Sequence, residues 1–332
     1  MKKRGELWTL ASLALMGLLI AGCSENQVEP LDGETAPVGV TTEDEAIKYY
    51  ALNDEFVVND EATFADQELT APDAGSFGKI DAAVTPLRFG RVVTGITKTV
   101  ETTYEPGDEV AIAHITKDIT GVFKILAVTE TNDTVLLEKP FNDKSERNVE
   151  FKRVARNPGR FWRNWMPVSS SLVQGGTVTP VTPVRITRLE LITPEETIDI
   201  TNPLEFYMYY GWMGMYQLRS TLKQGDVPQF TGGQAVTVRV TLESSGEAPD
   251  FVAIRYGYIG LNWRRFQMTM KEQVENGNGY TRVYETTQMG PVYMHFHRGW
   301  FNLGIDAVTN ETLYDDQAPY SASWWGIPYR DF

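Results

Sequence analysis

The spacing of apolar positions along the chain gives one helical stretch, many strand-like stretches and one unbroken apolar run. Thr42 to Asn53 predicts a helix, because Ile47, Tyr50 and Ala51 fall at i, i+3 and i+4. Thr42 and Glu45 stand three apart before it, the spacing of a capping box. From Leu87 the pattern turns to strands. β-branched residues crowd Val92 to Tyr104, Glu105-Pro106-Gly107-Asp108 supplies a turn, and Val110 to Thr129 resumes, so a long hairpin is expected. Thr131-Asn132-Asp133 turns again into Val135 to Glu138, and Asn148 to Val154 supplies a further strand.

Gln174 to Pro183 holds two glycines, two prolines and no charge, and reads as a linker. Short strands follow it at Val184 to Ile192, Thr197 to Ile200, Phe206 to Trp212, Ala235 to Leu242, Phe251 to Ile259, Phe266 to Val274, Thr281 to Thr287, Val292 to His297, Trp300 to Val308 and Ser323 to Tyr329. Asn276-Gly277-Asn278-Gly279 lies between two of them as a strong hairpin signal. The expected fold class is therefore all-β, with one short N-terminal helix and two β domains, residues 80–173 and 184–332, joined by a linker at 174–183. Ahead of them come a segment at 46–79 (the short helix and an irregular leader), a tether at 23–45 and a leader peptide at 1–22. Gly299-Trp300-Phe301-Asn302-Leu303-Gly304-Ile305-Asp306-Ala307 resembles the penultimate strand of bacterial immunoglobulin-like domains, which implies an immunoglobulin-like sandwich for the second domain.

The apolar run is Leu7 to Ile20, preceded by Lys2, Lys3 and Arg4 and closed by Ile20-Ala21-Gly22-Cys23. It falls short of the roughly 20 residues that span a bilayer. Those residues resemble a bacterial lipoprotein signal with its lipobox. The resemblance implies cleavage before Cys23, diacylglycerol on its sulfur and acylation, such as palmitate, of its new amine. Cys23 is the sole cysteine of the 332 residues, so no disulfide competes for it. The expected cofactor list is empty apart from this covalent lipid, and the expected location is the bacterial cell envelope. The outer membrane, on its periplasmic or surface side, is favoured over the inner one. Ser24 to Val40 carries Glu25, Glu29, Asp32 and Glu34 with two prolines, a composition suited to a solvated tether. It also resembles the anionic surface-export signal of Bacteroidota lipoproteins; the plain tether is the favoured reading.

A net charge of −14, made more acidic by loss of the basic leader, argues against a nucleic-acid partner. Three groups of residues offer chemistry. His295 and His297 lie two apart on a predicted strand and would share a face, as a two-histidine metal site needs, but no third ligand adjoins them and Arg298 does. Lys144, Arg147, Lys152, Arg153, Arg156, Arg160 and Arg163 concentrate positive charge beside Trp162 and Trp165. Arginine next to exposed tryptophan can hold an anion while a ring stacks on a sugar. In the competing and favoured reading, the tryptophans close a core and the arginines pair with buried acids. The third group is aromatic, Tyr207 to Met213 and Trp324-Trp325 to Tyr329, where alternate rings of a strand would point outward and could stack on sugars or seat a protein; the favoured reading places these rings in two sheet cores with a docked C-terminus.

No nucleophile elbow, zinc-protease helix, phosphate loop, dinucleotide fingerprint or calcium loop occurs. The residues thus favour a non-enzymatic envelope module that binds a protein partner or a glycan. The alternative is a polysaccharide-acting enzyme with an aromatic-lined cleft and two facing carboxylates.

Overall fold

The computed structural model describes residues 39–53, 83–178, 183–209, 224–225, 229–230, 234–258, 261–289 and 300–331. The chain divides into units at 1–38 and 39–332, and every described residue belongs to the second. The protein is all-β with a short N-terminal helix, and its strands form two sheets.

Helix α1, Glu43–Asn53, begins where its capping box predicts. The Glu45 amide donates to Thr42 Oγ1 (3.2 Å), and Glu45 Oε2 accepts from the amides of Thr42 (2.9 Å) and Thr41 (2.7 Å). The hairpin follows as β1 (Val84–Tyr104) and β2 (Val110–Thr129), antiparallel along their length. Its turn is fixed by left-handed backbone at Gly107 (φ 99°) and Asp108 (φ 55°). β3 is one strand, Thr134–Arg153, where the periodicity predicts two shorter ones. Its middle hides the signal because the inward positions there include Lys139, Asp143, Ser145 and Arg147, polar residues buried all the same.

β4 (Trp165–Ser171) and β5 (Val173–Thr177) both pair with the edge of β3 opposite β2. The expected linker thus carries a strand as far as Thr177. β5 bridges β3 to β17 (Ala322–Asp331), so hairpin and C-terminal strands share one sheet; residues 179–182 lie outside the described residues. From β17 the sheet continues through β16 (Trp300–Val308), β12 (Phe251–Tyr258) and β13 (Leu261–Gln267). Next to β4 lie β8 (Tyr207–Tyr209) and β9 (Gln224–Gly225), and β10 (Gln229–Phe230) runs parallel to β17. The second sheet has the order β14-β15-β11-β6-β7, from Thr269–Glu275, Tyr280–Met289, Ala235–Ser244, Val184–Ile192 and Thr197–Ile200. The expected strand Phe266 to Val274 is interrupted at Met268, which is buried and marks the step from the first sheet (β13) to the second (β14). The Asn276–Gly279 hairpin turn forms as predicted, with Gly277 at φ 80° and the Asn276 amide on Gly279 O (3.0 Å).

The strands β12, β16 and β17 are buried on both faces. On one face their side chains meet the second sheet in a core that includes Leu189, Val240, Ile254, Ile305 and Trp325. On the other they meet the base of the long hairpin and helix α2 (Asn310–Tyr314) around Phe89, Phe123, Phe251, Leu313 and Trp324. A third cluster joins Ile47 and Ala51 of α1 to Val100, Ala113, Phe151 and Trp165. The helix, marginal alone at this length, is therefore held by packing.

Candidate functional site

The basic and aromatic segment folds into a socket for helix α1. Glu43, in the first turn of the helix, receives Arg153 through both oxygens (2.7 and 2.6 Å) and the Trp165 indole N–H (2.9 Å). Asn164 adds a longer bond to the same carboxylate (3.3 Å). Burial works against the Glu43 charge, but the bonds from Arg153 and Trp165 outweigh it and hold the carboxyl below its ordinary value. The Arg153 guanidinium lies over the Trp165 ring at 4.4 Å, Tyr50 donates to the Trp162 carbonyl (2.5 Å), and Tyr104 donates to Asp44 (2.6 Å). Trp162 and Trp165 are buried here and present no stacking face.

Of the arginines singled out by sequence, Arg153 pairs with the partly buried Glu43 of helix α1. Arg156 is exposed and pairs with exposed Glu109, Arg160 is exposed, and Arg163 is half-buried in the 3-10 turn Phe161–Arg163. Fully buried acids are met by further arginines outside this segment. Arg91 on β1 grips Asp306 on β16 through two bonds (2.9 and 2.6 Å), and Arg255 on β12 adds a third (2.8 Å). All three side chains are at most 6% exposed. Burial opposes the Asp306 charge, yet Arg91 and Arg255 pull its pKa far below the carboxylate range. Tyr320 links this group to Asp143, accepting from Arg91 Nε (2.6 Å) and donating to Asp143 Oδ2 (3.1 Å). Asp143 is pushed up to about 6 by burial, which the more distant Arg91 only partly offsets. In the second sheet Arg282 pairs with Asp250 at 2.7 Å, both fully buried.

Trp324 and Trp325 are buried too, one on each face of β17. Neither of these two rings points to solvent, because the strand is central and covered on both sides; the pair takes the favoured core placement. Gly175 on β5 makes room for Trp324, since a Cβ there would come within 2.1 Å of the ring. Cys23, His295 and His297 lie outside the described residues, as do residues 210–213 of the first aromatic stretch. Among the described residues no group of histidine, cysteine and carboxylate side chains is placed to hold a metal ion, and no helix is long and apolar enough to cross a membrane.

What the tertiary structure brings together, and sequence reading did not find, is an open cleft of about 580 Å³ beside the step from β3 to the second sheet. Alternation along β3 sends Asp143 and Ser145 inward and Lys144 and Glu146 outward into one wall. β5 and β17 form the floor with Gln174, Gly175, Gly176, Ser323 and Trp325. The opposite wall is Arg185 to Thr187 of β6 with Thr201 and Asn202, where Asn202 caps a 3-10 turn by accepting from the Leu204 amide (3.2 Å). Lys144 pairs with Glu146 at 2.9 Å and Arg185 with Glu243 at 2.9 Å. Partial burial opposes the Glu146 charge, but its bond from Lys144 prevails and lowers its pKa. The lining therefore offers hydroxyls, amides and both signs of charge, on strands and on the connection after β7. Nothing in the local sequence marks it, because its residues lie up to about 180 positions apart and converge only in space.

No protein-family model and no curated protein matches the chain. Among solved structures, a chain of Extended-Synaptotagmin 2 holding its SMP domain and two C2 domains aligns over 99% of this chain and 98% of that one, with 7% identity and a TM-score of 0.12, too low to carry an argument.

Proposed function

We propose that the protein is a lipid-tethered, non-enzymatic binding module of the bacterial envelope, anchored through Cys23 and recognising its partner in the cleft between β3 and the second sheet. The cleft carries the reading. Its volume lies within the roughly 300–1,000 Å³ of ligand sites, and most of its polar groups stand on strands, with Thr201 and Asn202 on the connection after β7. The lipobox Ile20-Ala21-Gly22-Cys23 supports the anchor, with an acidic tether between lipid and body. The outer membrane as address and the immunoglobulin-like character of the C-terminal half belong to the same proposal. A glycosidase would need two facing carboxylates; among the described residues the cleft is lined by one, Glu146, already engaged by Lys144.

Two variants of the full chain test this. Cys23→Ala is expected to move the protein from the membrane to the soluble fraction, or to leave a longer precursor. Thr201→Trp, which fills the cleft from its exposed wall, should abolish capture of the envelope component that crosslinks to the native protein, with the melting curve unchanged. Full membrane retention of Cys23→Ala at mature size refutes the anchor. Undiminished capture by Thr201→Trp refutes the cleft.

A further inference from the structure

Granted that the cleft is the recognition surface, we infer that its ligand is an acidic oligosaccharide, a short sugar chain whose rings carry carboxylates. Three features of the lining select this chemistry. First, neutral hydrogen-bonding groups predominate: Gln174, Thr187, Thr201, Asn202 and Ser323 present the amides and hydroxyls that match the hydroxyls of a sugar. Second, the floor gives no flat aromatic platform, because Trp325 is only 4% exposed. Ligands held by ring stacking, as neutral glycans commonly are on tryptophan, gain little there. Third, the lining itself carries two cations, Lys144 and Arg185, against one carboxylate, Glu146, with Glu243 pairing Arg185 from outside the lining, in a chain of net charge −14.

Both cations are available for exchange. Lys144 and Arg185 are 46% and 63% exposed, and their present partners are carboxylates in water-accessible pairs, which contribute little. A ligand carboxylate replaces Glu243 on Arg185 like for like, with two-pronged geometry open to the guanidinium, while Lys144 meets a second acid group as a point charge. The ring hydroxyls are left to Thr201, Asn202 and Gln174.

The test is calorimetric titration of the full chain in detergent with acidic oligosaccharides (galacturonate, alginate and hyaluronan fragments), each beside a neutral oligosaccharide of equal length. At least one acidic chain is expected to bind about tenfold or more tighter than its neutral match, with affinity falling as salt rises. Arg185→Ala should weaken that binding about tenfold without moving the melting curve, and Arg185→Lys should restore part of it. Equal binding of acidic and neutral chains, no binding by any acidic chain, or acidic binding indifferent to Arg185→Ala overturns the inference. If envelope capture still depends on Thr201→Trp in those cases, the cleft remains the recognition surface and only the ligand class fails. If neither responds, both fall.

Discussion

Replacing Asp306 by asparagine probes the buried charges that join the hairpin to the C-terminal strands. Asp306 supplies the carboxylate for three bonds from Arg91 and Arg255, in a site at most 6% exposed. Asparagine keeps the shape and removes the charge that both buried guanidiniums bond to. Breaking one buried pair costs roughly 3–5 kcal/mol. Both arginines depend on the same group, so the losses are not simply additive and the upper end of that range is expected. At roughly 2–4 °C per kcal/mol for a body of this class, the melting temperature should fall by about 10–20 °C. Urea unfolding followed by tryptophan fluorescence gives the free energy directly. The reasoning extends to a triple variant, Asp306→Leu with Arg91→Met and Arg255→Met, which removes the three charges bonded to one another and should be more stable than Asp306→Asn alone. A loss below about 1 kcal/mol for Asp306→Asn, or a triple variant less stable than the single one, refutes it.

Asp143 sets a pH dependence. Its folded pKa of about 6 lies above the ordinary 3.8, so the native state holds the proton longer than the unfolded chain, and this group's stabilisation is present below about pH 4 and lost as pH rises through 6. The change is roughly 3 kcal/mol across that window, and Asp143→Asn should flatten it in urea titrations from pH 4 to 7; an unchanged slope counts against the assignment. Glu43→Ala should free helix α1 from its socket, seen as faster hydrogen exchange over residues 43–53 with β2 and β3 still protected; unaltered exchange would mean that packing of Ile47 and Ala51 suffices. Replacing Arg156, Arg160 and Arg163 together by glutamine should leave the melting curve unchanged, since Arg156 and Arg160 stand in solvent and Arg163 is half-exposed; a clear drop would show a buried partner for one of them.

The sequence by itself determined the local elements whose signals are local. The capping box at Thr42 and Glu45 set the start of α1, Glu105 to Asp108 set the hairpin turn, and Asn276 to Gly279 set the last one. It also determined the all-β class, because β-branched residues between turn clusters have few other solutions. What lay beyond it were the facts settled by neighbours far along the chain. Lys139 and Asp143 break the apolar period of β3, yet a long strand buries them because distant groups bond to them: the Asp315 and Ala318 carbonyls accept from Lys139 (2.6 Å each) and Tyr320 donates to Asp143 (3.1 Å). Two glycines read as a linker, yet Gly175 is a glycine because Trp324 occupies the space of its side chain. Trp162, Trp165, Trp324 and Trp325 read as core rather than platforms, but which elements would bury them was decided only when α1, the hairpin and the second sheet closed over them. The cleft is the extreme case: alternation along β3 fixes which of its residues point outward, but only the crossing of β5 between two halves of the chain places Lys144 and Glu146 opposite Arg185, Thr201 and Asn202.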